Sequence, residues 1–297
     1  MKPTPDGKEY AMNAIECRDL TKSYQGFTLD HITFTLPAGC ILGLVGENGA
    51  GKSTTLKLLM NATSREDGQV SLLGTDNQSP DFLQTKQDIG VVLDEACLPE
   101  VITPLELGKL MSLTYTRWDQ PLYESYLTRF DIPRTKQFKD FSRGMKMKLA
   151  LAAALAHRPR LLILDEATAG LDPVVRDEIL DEFQGFIEDE EHAILISSHI
   201  TSDLEKIADY ITYIHQGRVV LSDSKDAILE HYAKLGCTQA QLRDIQPGDL
   251  VRVRKGSFGC EALVRDRAAF ARKYPGLMLD RVTLEDIMLL IGKGESA

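Results

Sequence analysis

The sequence contains no long apolar run, few cysteines and no excess of basic residues. Its most apolar stretches are only as long as a strand or are interrupted by charged residues, which predicts that no part of the chain crosses a membrane. The first ten residues contain no apolar segment of the kind found in signal peptides, so we expect no signal peptide. If the protein works at a membrane, another chain must therefore supply the membrane span.

The cysteines and the charge exclude several further classes of protein. The five cysteines are scattered and form no Cys-x-x-Cys pair, which argues against a disulfide framework and a zinc site and suits a reducing cytoplasm. The net charge of −10 gives no reason to expect nucleic acid as a partner. Residues 231–297 carry 11 Lys and Arg against 8 Asp and Glu, whereas residues 1–230 hold a net charge of −13. Together with an alternating segment at 250–254 and expected helices at 265–274 and 284–291, this difference in charge predicts a small C-terminal α/β accessory domain over 231–297.

The clearest pattern is a glycine-rich segment over 46–54 with the spacing G-x-x-x-x-G-K-[ST]. An apolar run at 41–45 predicts a buried strand before it, and 54–60 predicts a helix after it. A phosphate-binding loop needs a strand before it and a helix after it, because its backbone N–H groups and the helix start point at a nucleotide's phosphates. A chance glycine-rich turn has no such requirement, so the flanking elements favour a phosphate-binding loop. The predicted ATP-binding residues of this loop are Gly46, Asn48, Gly49, Ala50, Gly51, Lys52, Ser53 and Thr54.

A second apolar run, 161–164, leads directly into Asp165 and Glu166. We expect Lys52 to reach the β- and γ-phosphates, and Asp165 to bind Mg²⁺ together with the Ser53 hydroxyl. Glu166 would polarise an attacking water as a general base. An Asp-Glu pair after a strand is otherwise the solvated start of a loop, but the apolar run and the phosphate loop together favour a site.

Two further residues have two interpretations each. Tyr24 lies upstream of the phosphate loop, where its ring would either stack on adenine or pack as a cross-strand aromatic. His199 follows the apolar run 193–198, and it is either a structural histidine or a hydrogen-bonding partner of the γ-phosphate and the water.

Strands alternate with helices along most of 14–230, which predicts an α/β fold with a mostly parallel sheet. Residues 1–13 are polar and are expected to form a loose N-terminus. Residues 15–36 predict an antiparallel β part, and Ser202 is expected to cap a short helix after His199. A helical block over about 95–158 is inserted into this pattern, with helices expected at 103–115, 119–130 and 143–156.

Several segments in order resemble the nucleotide-binding domain of ABC transporters. They are the phosphate loop, Phe141-Ser142-Arg143-Gly144-Met145 before an Ala/Leu-rich helix, Leu161 to Glu166, Ala169-Gly170-Leu171-Asp172, and Ser197-Ser198-His199. In that family the order is phosphate loop, Gln-bearing loop, LSGGQ-type signature, Walker B, D-loop and switch His. The sequence is similar in particular to bacterial single-domain ATPases that serve separate ABC-2-type permeases in drug, lantibiotic and acetoin-utilisation systems.

The resemblance implies a P-loop ATPase that works as a sandwich of two such domains, from two copies or from a sister subunit. ATP on Lys52 and Ser53 of one subunit would be covered by the signature residues Ser142, Arg143, Gly144 and Met145 of the other, with Asp172 at the dimer seam. Closing and opening of the sandwich would drive a separate permease, which implies export and a position on the inner face of the cell membrane. Asp172 is also expected to cap a helix before Pro173.

The sequence departs from the family pattern at three places. The signature is FSRGM, so that Arg143 replaces a Gly and Met145 a Gln. At the position of the Gln-bearing loop stands Asp94, which we expect to keep a role at Mg²⁺ with altered coupling to the permease. Glu47 replaces a frequent proline in the phosphate loop, a change from which we expect little effect.

Two other functions remain open from the sequence. A soluble ABC ATPase acting on ribosomes or DNA is one, but a single phosphate loop, the acidic charge and the lack of long heptad coils between 52 and 142 argue against it. A nucleotide-gated regulatory scaffold that does not hydrolyse ATP is the other, and the presence of Glu166 and His199 argues against that.

Overall fold

The computed structural model describes residues 13–93, 98–256 and 259–295. The strands of this part are, in chain order, β1 Asn13–Tyr24, β2 Phe27–Pro37, β3 Ile41–Val45, β4 Asp67–Leu72, β5 Thr75–Asp76, β6 Ile89–Val92, β7 Leu161–Asp165, β8 Ala193–Ser198, β9 Tyr210–His215, β10 Arg218–Ser224, β11 Ala233–Cys237, β12 Leu250–Lys255, β13 Cys260–Val264 and β14 Leu279–Arg281. The α-helices are α1 Lys52–Leu59, α2 Phe82–Thr85, α3 Pro104–Thr114, α4 Gln120–Arg129, α5 Arg143–Leu155, α6 Pro173–Phe186, α7 Thr201–Ile207, α8 Lys225–His231, α9 Gln239–Arg243, α10 Arg267–Lys273 and α11 Leu284–Lys293.

A six-stranded sheet with the order β10-β9-β3-β8-β7-β6 forms the centre of the fold. Neighbours from β9 to β6 pair in parallel, and only β10 runs antiparallel at one edge. Strands β3, β7 and β8 are buried along their whole length, as expected for parallel strands covered on both faces. This sheet and its helices confirm the predicted α/β class with a mostly parallel sheet.

An antiparallel sheet with the order β2-β1-β4-β5 covers one face of the central sheet. Its inward residues, such as Leu20 and Ile32, share one apolar core with Leu42 and Leu44 of β3 and Leu56 of α1. Helix α1, which follows the phosphate loop, therefore packs against side chains of both sheets.

The helical block lies between β6 and β7. Thr103 begins α3 with a capping box, in which its side chain accepts from the Glu106 N–H and Glu106 accepts from the Thr103 N–H. Asp119 caps α4, and Ser142 caps α5 through the N–H of Met145. The three predicted helices of the block are therefore present, each within about one residue of its expected ends.

The C-terminal part is a four-stranded antiparallel sheet with the order β12-β13-β11-β14. Helices α9, α10 and α11 accompany this sheet. The sequence predicted α10 and α11 and an alternating segment at β12, but it did not single out β11, β13 or β14. The part of the chain that the structure describes contains no helix long and apolar enough to cross a membrane.

Two predicted helix starts were wrong. The helix after the phosphate loop begins at Lys52, two residues earlier than expected, because Gly51 takes the N-cap position with a φ of 116°. Ser202 does not cap α7: the helix begins at Thr201 after Ile200, and no side chain accepts a hydrogen bond at this N-cap.

His157 joins three elements just beyond the end of α5. Its Nε2 lies 3.2 Å from the carbonyl oxygen of Ile89 on β6, and its ring stacks on Tyr115 with centroids 3.9 Å apart. Its Nδ1 is buried without a hydrogen-bond partner. Burial lowers the pKa of His157 from 6.5 to about 4, because the charged imidazolium would lose its hydration.

This histidine makes the folded state sensitive to acid. The unfolded chain binds a proton at His157 below pH 6.5, whereas the folded protein does so only near pH 4, so its contribution is complete above pH 6.5 and is lost as the pH falls to about 4. We expect the free energy of unfolding to fall by about 2–3 kcal/mol through this one group. Thermal unfolding of wild type and His157→Gln between pH 7 and 4 measures this difference in slope; equal slopes would contradict it.

Candidate functional site

The register of three parallel strands brings the predicted site residues to one edge of the central sheet. Val45 of β3 pairs with Ser198 of β8, and Ser197 of β8 pairs with Asp165 of β7. The loops that leave these strands therefore start side by side. They carry the phosphate loop, Glu166 and His199, at the carboxyl edge where ligands of such sheets bind.

The phosphate loop wraps around the amine of Lys52. The Nζ atom donates to the carbonyl oxygen of Gly46 at 2.8 Å and to that of Glu47 at 3.3 Å, and Lys52 is buried. Gly51 is required here, since its φ is 116° and a Cβ would stand 2.7 Å from the Leu29 side chain.

The other residues of the loop differ in their exposure to solvent. Ala50 is buried, Thr54 is half-buried, and Asn48, Gly49 and Ser53 are exposed. The hydroxyl of Ser53 thus lies at the open start of α1, where a ligand can reach it.

The two carboxylates after β7 have different surroundings. Asp165 is 6% exposed, and one of its oxygens accepts a hydrogen bond from the Ser197 hydroxyl at 2.5 Å. The same hydroxyl accepts from the Glu166 N–H at 3.1 Å. Glu166 has a φ of 51°, an uncommon conformation for a residue with a side chain, so this bond helps to hold a strained turn.

Glu166 lies between Lys52 and His199. Its Oε2 accepts from the Nδ1 of His199 at 2.7 Å and lies 3.4 Å from the His199 N–H. Its Oε1 is 3.1 Å from the Lys52 Nζ, at ion-pair distance but not aligned as a hydrogen bond, and this buried oxygen has no hydrogen-bond partner. The structure therefore brings the predicted lysine, general base and histidine into direct contact.

Tyr24 ends β1 and is 45% exposed, with the Lys22 Nζ 5.9 Å from its ring centroid. The ring is accessible to a ligand. Its cross-strand neighbour is Phe27, so both interpretations of this residue stay open on geometry. Asp94 lies outside the described residues.

The signature segment stands at the N-terminus of α5. Ser142 and Arg143 are exposed, and Ser142 accepts from the Met145 N–H at 3.3 Å. Gly144 faces Val175 of α6, and a Cβ on it would lie 3.3 Å from that side chain. Arg143 lies over Gly170, where a Cβ would come within 2.7 Å of its Nη1.

Asp172 caps α6, accepting from the N–H groups of Val174 at 3.2 Å and Val175 at 3.1 Å. Its capping role is thereby confirmed. Its place at a dimer seam stays a prediction.

Two residues of this region have contacts that the sequence reasoning missed. Ser197 was identified only as part of the Ser-Ser-His motif, and its hydrogen bonds to Asp165 and Glu166 were not predicted. Its place near the end of a strand that leads to His199 did indicate the same edge of the sheet. Glu47 lies against Gly292 of α11, with its Cδ 3.2 Å from where a Cβ would be. The pKa of Tyr213 is raised to about 12 by burial and, to a smaller extent, by the charge of Glu47.

Comparison with known proteins places these features in one family. The family model described as ABC transporter matches residues 29–169. The bacitracin transport ATP-binding protein BcrA of Enterococcus faecalis is 34% identical over 209 residues, which cover 69% of this chain and 68% of that protein. The lantibiotic transport ATP-binding protein SrtF of Streptococcus pyogenes is 32% identical over 215 residues, which cover 71% of this chain and 91% of that protein.

Solved structures agree with the sequence relatives. An ATP-binding subunit of an ABC transporter superimposes with a TM-score of 0.65 at 27% identity, over 72% of this chain and 91% of that one. A dimeric ATP-binding cassette in a post-hydrolysis state, bound to ADP and phosphate, superimposes with a TM-score of 0.64 at 20% identity, over 71% and 98%, and shows the same fold. The chain belongs to the ABC transporter family and has the fold of its ATP-binding subunits.

Proposed function

We propose that this chain hydrolyses ATP in a Mg²⁺-dependent reaction and thereby drives a separate permease, most simply an exporter. The observation that carries the proposal is Glu166, whose two carboxylate oxygens lie 3.1 Å from the Lys52 amine and 2.7 Å from the His199 ring. A lysine for phosphate, a carboxylate base and a histidine within mutual reach form the constellation that phosphoryl transfer to water requires.

The residues present fit a magnesium ion. The Ser53 hydroxyl and the Asp165 carboxylate are hard oxygen donors, and Asp165 keeps one oxygen beyond the one that Ser197 occupies. Within the described ranges no group of three or more His, Cys, Asp and Glu residues is arranged to hold a metal. Mg²⁺ binds through one or two carboxylates together with the phosphates of a nucleotide, so Asp165 alone can supply the carboxylate. When bound there, the ion neutralises charge that develops on the phosphates.

The chain's own groups divide the remaining work. Phosphate oxygens of ATP offer the Lys52 amine partners in place of Glu166, which releases Glu166 to accept a proton from the attacking water. His199 holds the Glu166 carboxylate through its Nδ1, and its Nε2 is left to face the γ-phosphate. Tyr24 supplies an exposed ring for the adenine.

A second subunit completes the site in this proposal. Ser142 and Arg143 are exposed at the N-terminus of a 13-residue helix, where free N–H groups and the helix dipole favour a phosphate. These groups would serve the ATP bound by the partner, with Gly144 and Met145 beside them and Asp172 at the seam. A similar cassette is dimeric in its complex with ADP and phosphate.

The helical block offers a surface for the permease. Leu110 is 47% and Leu113 is 88% exposed on α3. A cavity of about 240 Å³ is lined by apolar residues of the same helix, of β6 and of α5, among them Met111, Val92 and Ala153. Exposed apolar side chains and an apolar cavity on one helix are typical of a docking site. The relatives include transport ATP-binding proteins for bacitracin and lantibiotics and a Nod factor export ATP-binding protein. The last of these favours export, and Asp94 would alter the coupling.

Replacing Glu166 with Gln tests its role as the base. We expect kcat for ATP hydrolysis to fall by at least about 100-fold, while ATP still binds and holds two subunits together as a dimer. Phosphate release and size-exclusion chromatography with ATP measure both effects, with Glu191→Gln, which changes an exposed carboxylate, as control. Adding Gly144→Glu to Glu166→Gln should abolish the ATP-dependent dimer. Near-normal phosphate release from Glu166→Gln would refute the assignment.

Ser197→Ala removes the hydroxyl that joins Asp165 to the Glu166 backbone. We expect kcat to fall about 10-fold, because the Asp165 carboxylate then loses its hydroxyl donor and the Glu166 N–H keeps only its bond to the Ser197 carbonyl. Ser222→Ala is the matched control, since it removes a hydroxyl that bonds Thr212 in the same sheet, away from the carboxylates. Equal turnover in the two variants would show that the Ser197 bond is dispensable.

The docking surface is tested by placing a charge on it. Leu113→Glu should reduce co-purification of the chain with a membrane protein from detergent-solubilised membranes by at least about 5-fold, because a carboxylate is costly to bury in an apolar contact. Met278→Glu changes a residue of similar exposure in the C-terminal part and should co-purify like wild type. Undiminished recovery of Leu113→Glu would place the permease contact elsewhere.

A further inference from the structure

The last helix, α11, is anchored to the C-terminal sheet near both of its ends. Near its start, Asp286 pairs with Lys234 of β11 at 3.0 Å. Just beyond its end, Glu295 and Val253 of β12 exchange two backbone hydrogen bonds of 3.0 and 2.9 Å. A shift of the C-terminal sheet must therefore shift α11 with it.

The start of α11 is bound to helix α7 of the ATPase part. The N–H of Leu284 donates to the Glu205 Oε1 at 2.7 Å, which places a carboxylate at a helix N-terminus, where it is favoured. Helix α7 begins at Thr201, two residues after His199. The C-terminal part is thus hydrogen-bonded to the element that follows the site histidine.

The buried face of α11 continues the core of the ATPase part. Leu284, Ile287, Leu290 and Ile291 belong to one apolar cluster with Leu204 and Ile207 of α7 and with Tyr213 of β9. Four buried side chains on a ten-residue helix make a contact that fixes the orientation of α11 as well as its attachment.

The end of α11 reaches the phosphate loop, about 15 Å from its start for a helix of this length. Gly292 lies directly under the Glu47 carboxylate, and a Cβ there would overlap the Glu47 Oε1 and stand 3.7 Å from the Tyr213 hydroxyl. The carbonyl of Glu47 is one of the two that hold Lys52. The expectation that a glutamate at position 47 has little effect was made without this contact and stays a prediction.

We propose that α11 positions the ATP site, with Glu205 holding the His199 side through α7 and Gly292 giving room to the phosphate loop at Glu47. The C-terminal part then takes part in setting the geometry of hydrolysis, and ATP bound at the loop changes the packing of α11 in return, as linkage requires. The inference rests on the proposed ATPase function.

The two ends of α11 are tested separately by steady-state ATPase kinetics on the full chain. Glu205→Ala removes the acceptor for Leu284 and should lower kcat about 5-fold with KM for ATP changed less than 2-fold, whereas Glu205→Gln, which keeps an acceptor, should recover most of kcat. Gly292→Ala should raise KM for ATP about 3-fold or more by displacing Glu47. Adding Glu47→Ala to Gly292→Ala should remove that increase.

A matched control separates this contact from any effect of a glycine replacement. Gly276→Ala introduces a methyl group into open space in the same part of the chain, since no atom lies within 4 Å of its Cβ, and its KM should equal that of wild type. The inference is overturned if Gly292→Ala has the KM of Gly276→Ala, or if Glu205→Ala keeps the wild-type kcat.

Hydrogen exchange tests the reverse direction. In full-length Glu166→Gln, addition of ATP should slow exchange of the amides of 284–293 several-fold and leave those of 275–278 unchanged. Unchanged exchange across 284–293 in the presence of bound ATP would also overturn the inference. Failure of the proposed function is distinguishable, because wild type would then show no ATP turnover, whereas failure of the inference leaves turnover and its loss in Glu166→Gln intact.

Discussion

The site depends on three parallel strands whose carboxyl ends lie side by side at one edge of the sheet. Because β3, β8 and β7 pair in register, with Val45 opposite Ser198 and Ser197 opposite Asp165, three loops leave the sheet at one point. The register is fixed by burial on both faces, since sliding any of these strands would move apolar side chains out of two cores at once. The short distances between the site residues are therefore a consequence of strand packing. The loops only complete the positioning of side chains whose strands already end close together.

Three ionisable side chains are buried at that edge, where burial of a charge destabilises the folded state. Lys52 is 5% exposed, and Asp165 and Glu166 are below 10%. Each has partners, but the Glu166 Oε1 is not fully satisfied, and an under-satisfied buried oxygen destabilises the folded state. We interpret this as stability given up for function, because the oxygen that lacks a partner is on the carboxylate that receives a proton in the proposed reaction.

The sequence predicted the site better than the periphery, for a physical reason. The phosphate loop, the Asp-Glu pair and His199 each follow a short apolar run directly. Each motif is therefore predicted at the end of a buried strand. The early start of α1 depends on the positive φ of Gly51, which no apolar pattern reports. Strands β11 and β14 could not be identified because β11 pairs with β13 and β14, which follow it much later in the chain, so no local pattern reports this pairing. The contact between Glu47 and Gly292 joins opposite ends of the chain, so only the fold reveals it.

Arg143 lies over Gly170 in this structure, with its guanidinium where a side chain at position 170 would be. Gly170 also has a φ of 68°, so a larger residue there would be both strained and obstructed. Replacing Gly170 would therefore require the Arg143 guanidinium to move and would also impose a strained backbone conformation, whereas shortening Arg143 would remove only the first of these obstacles.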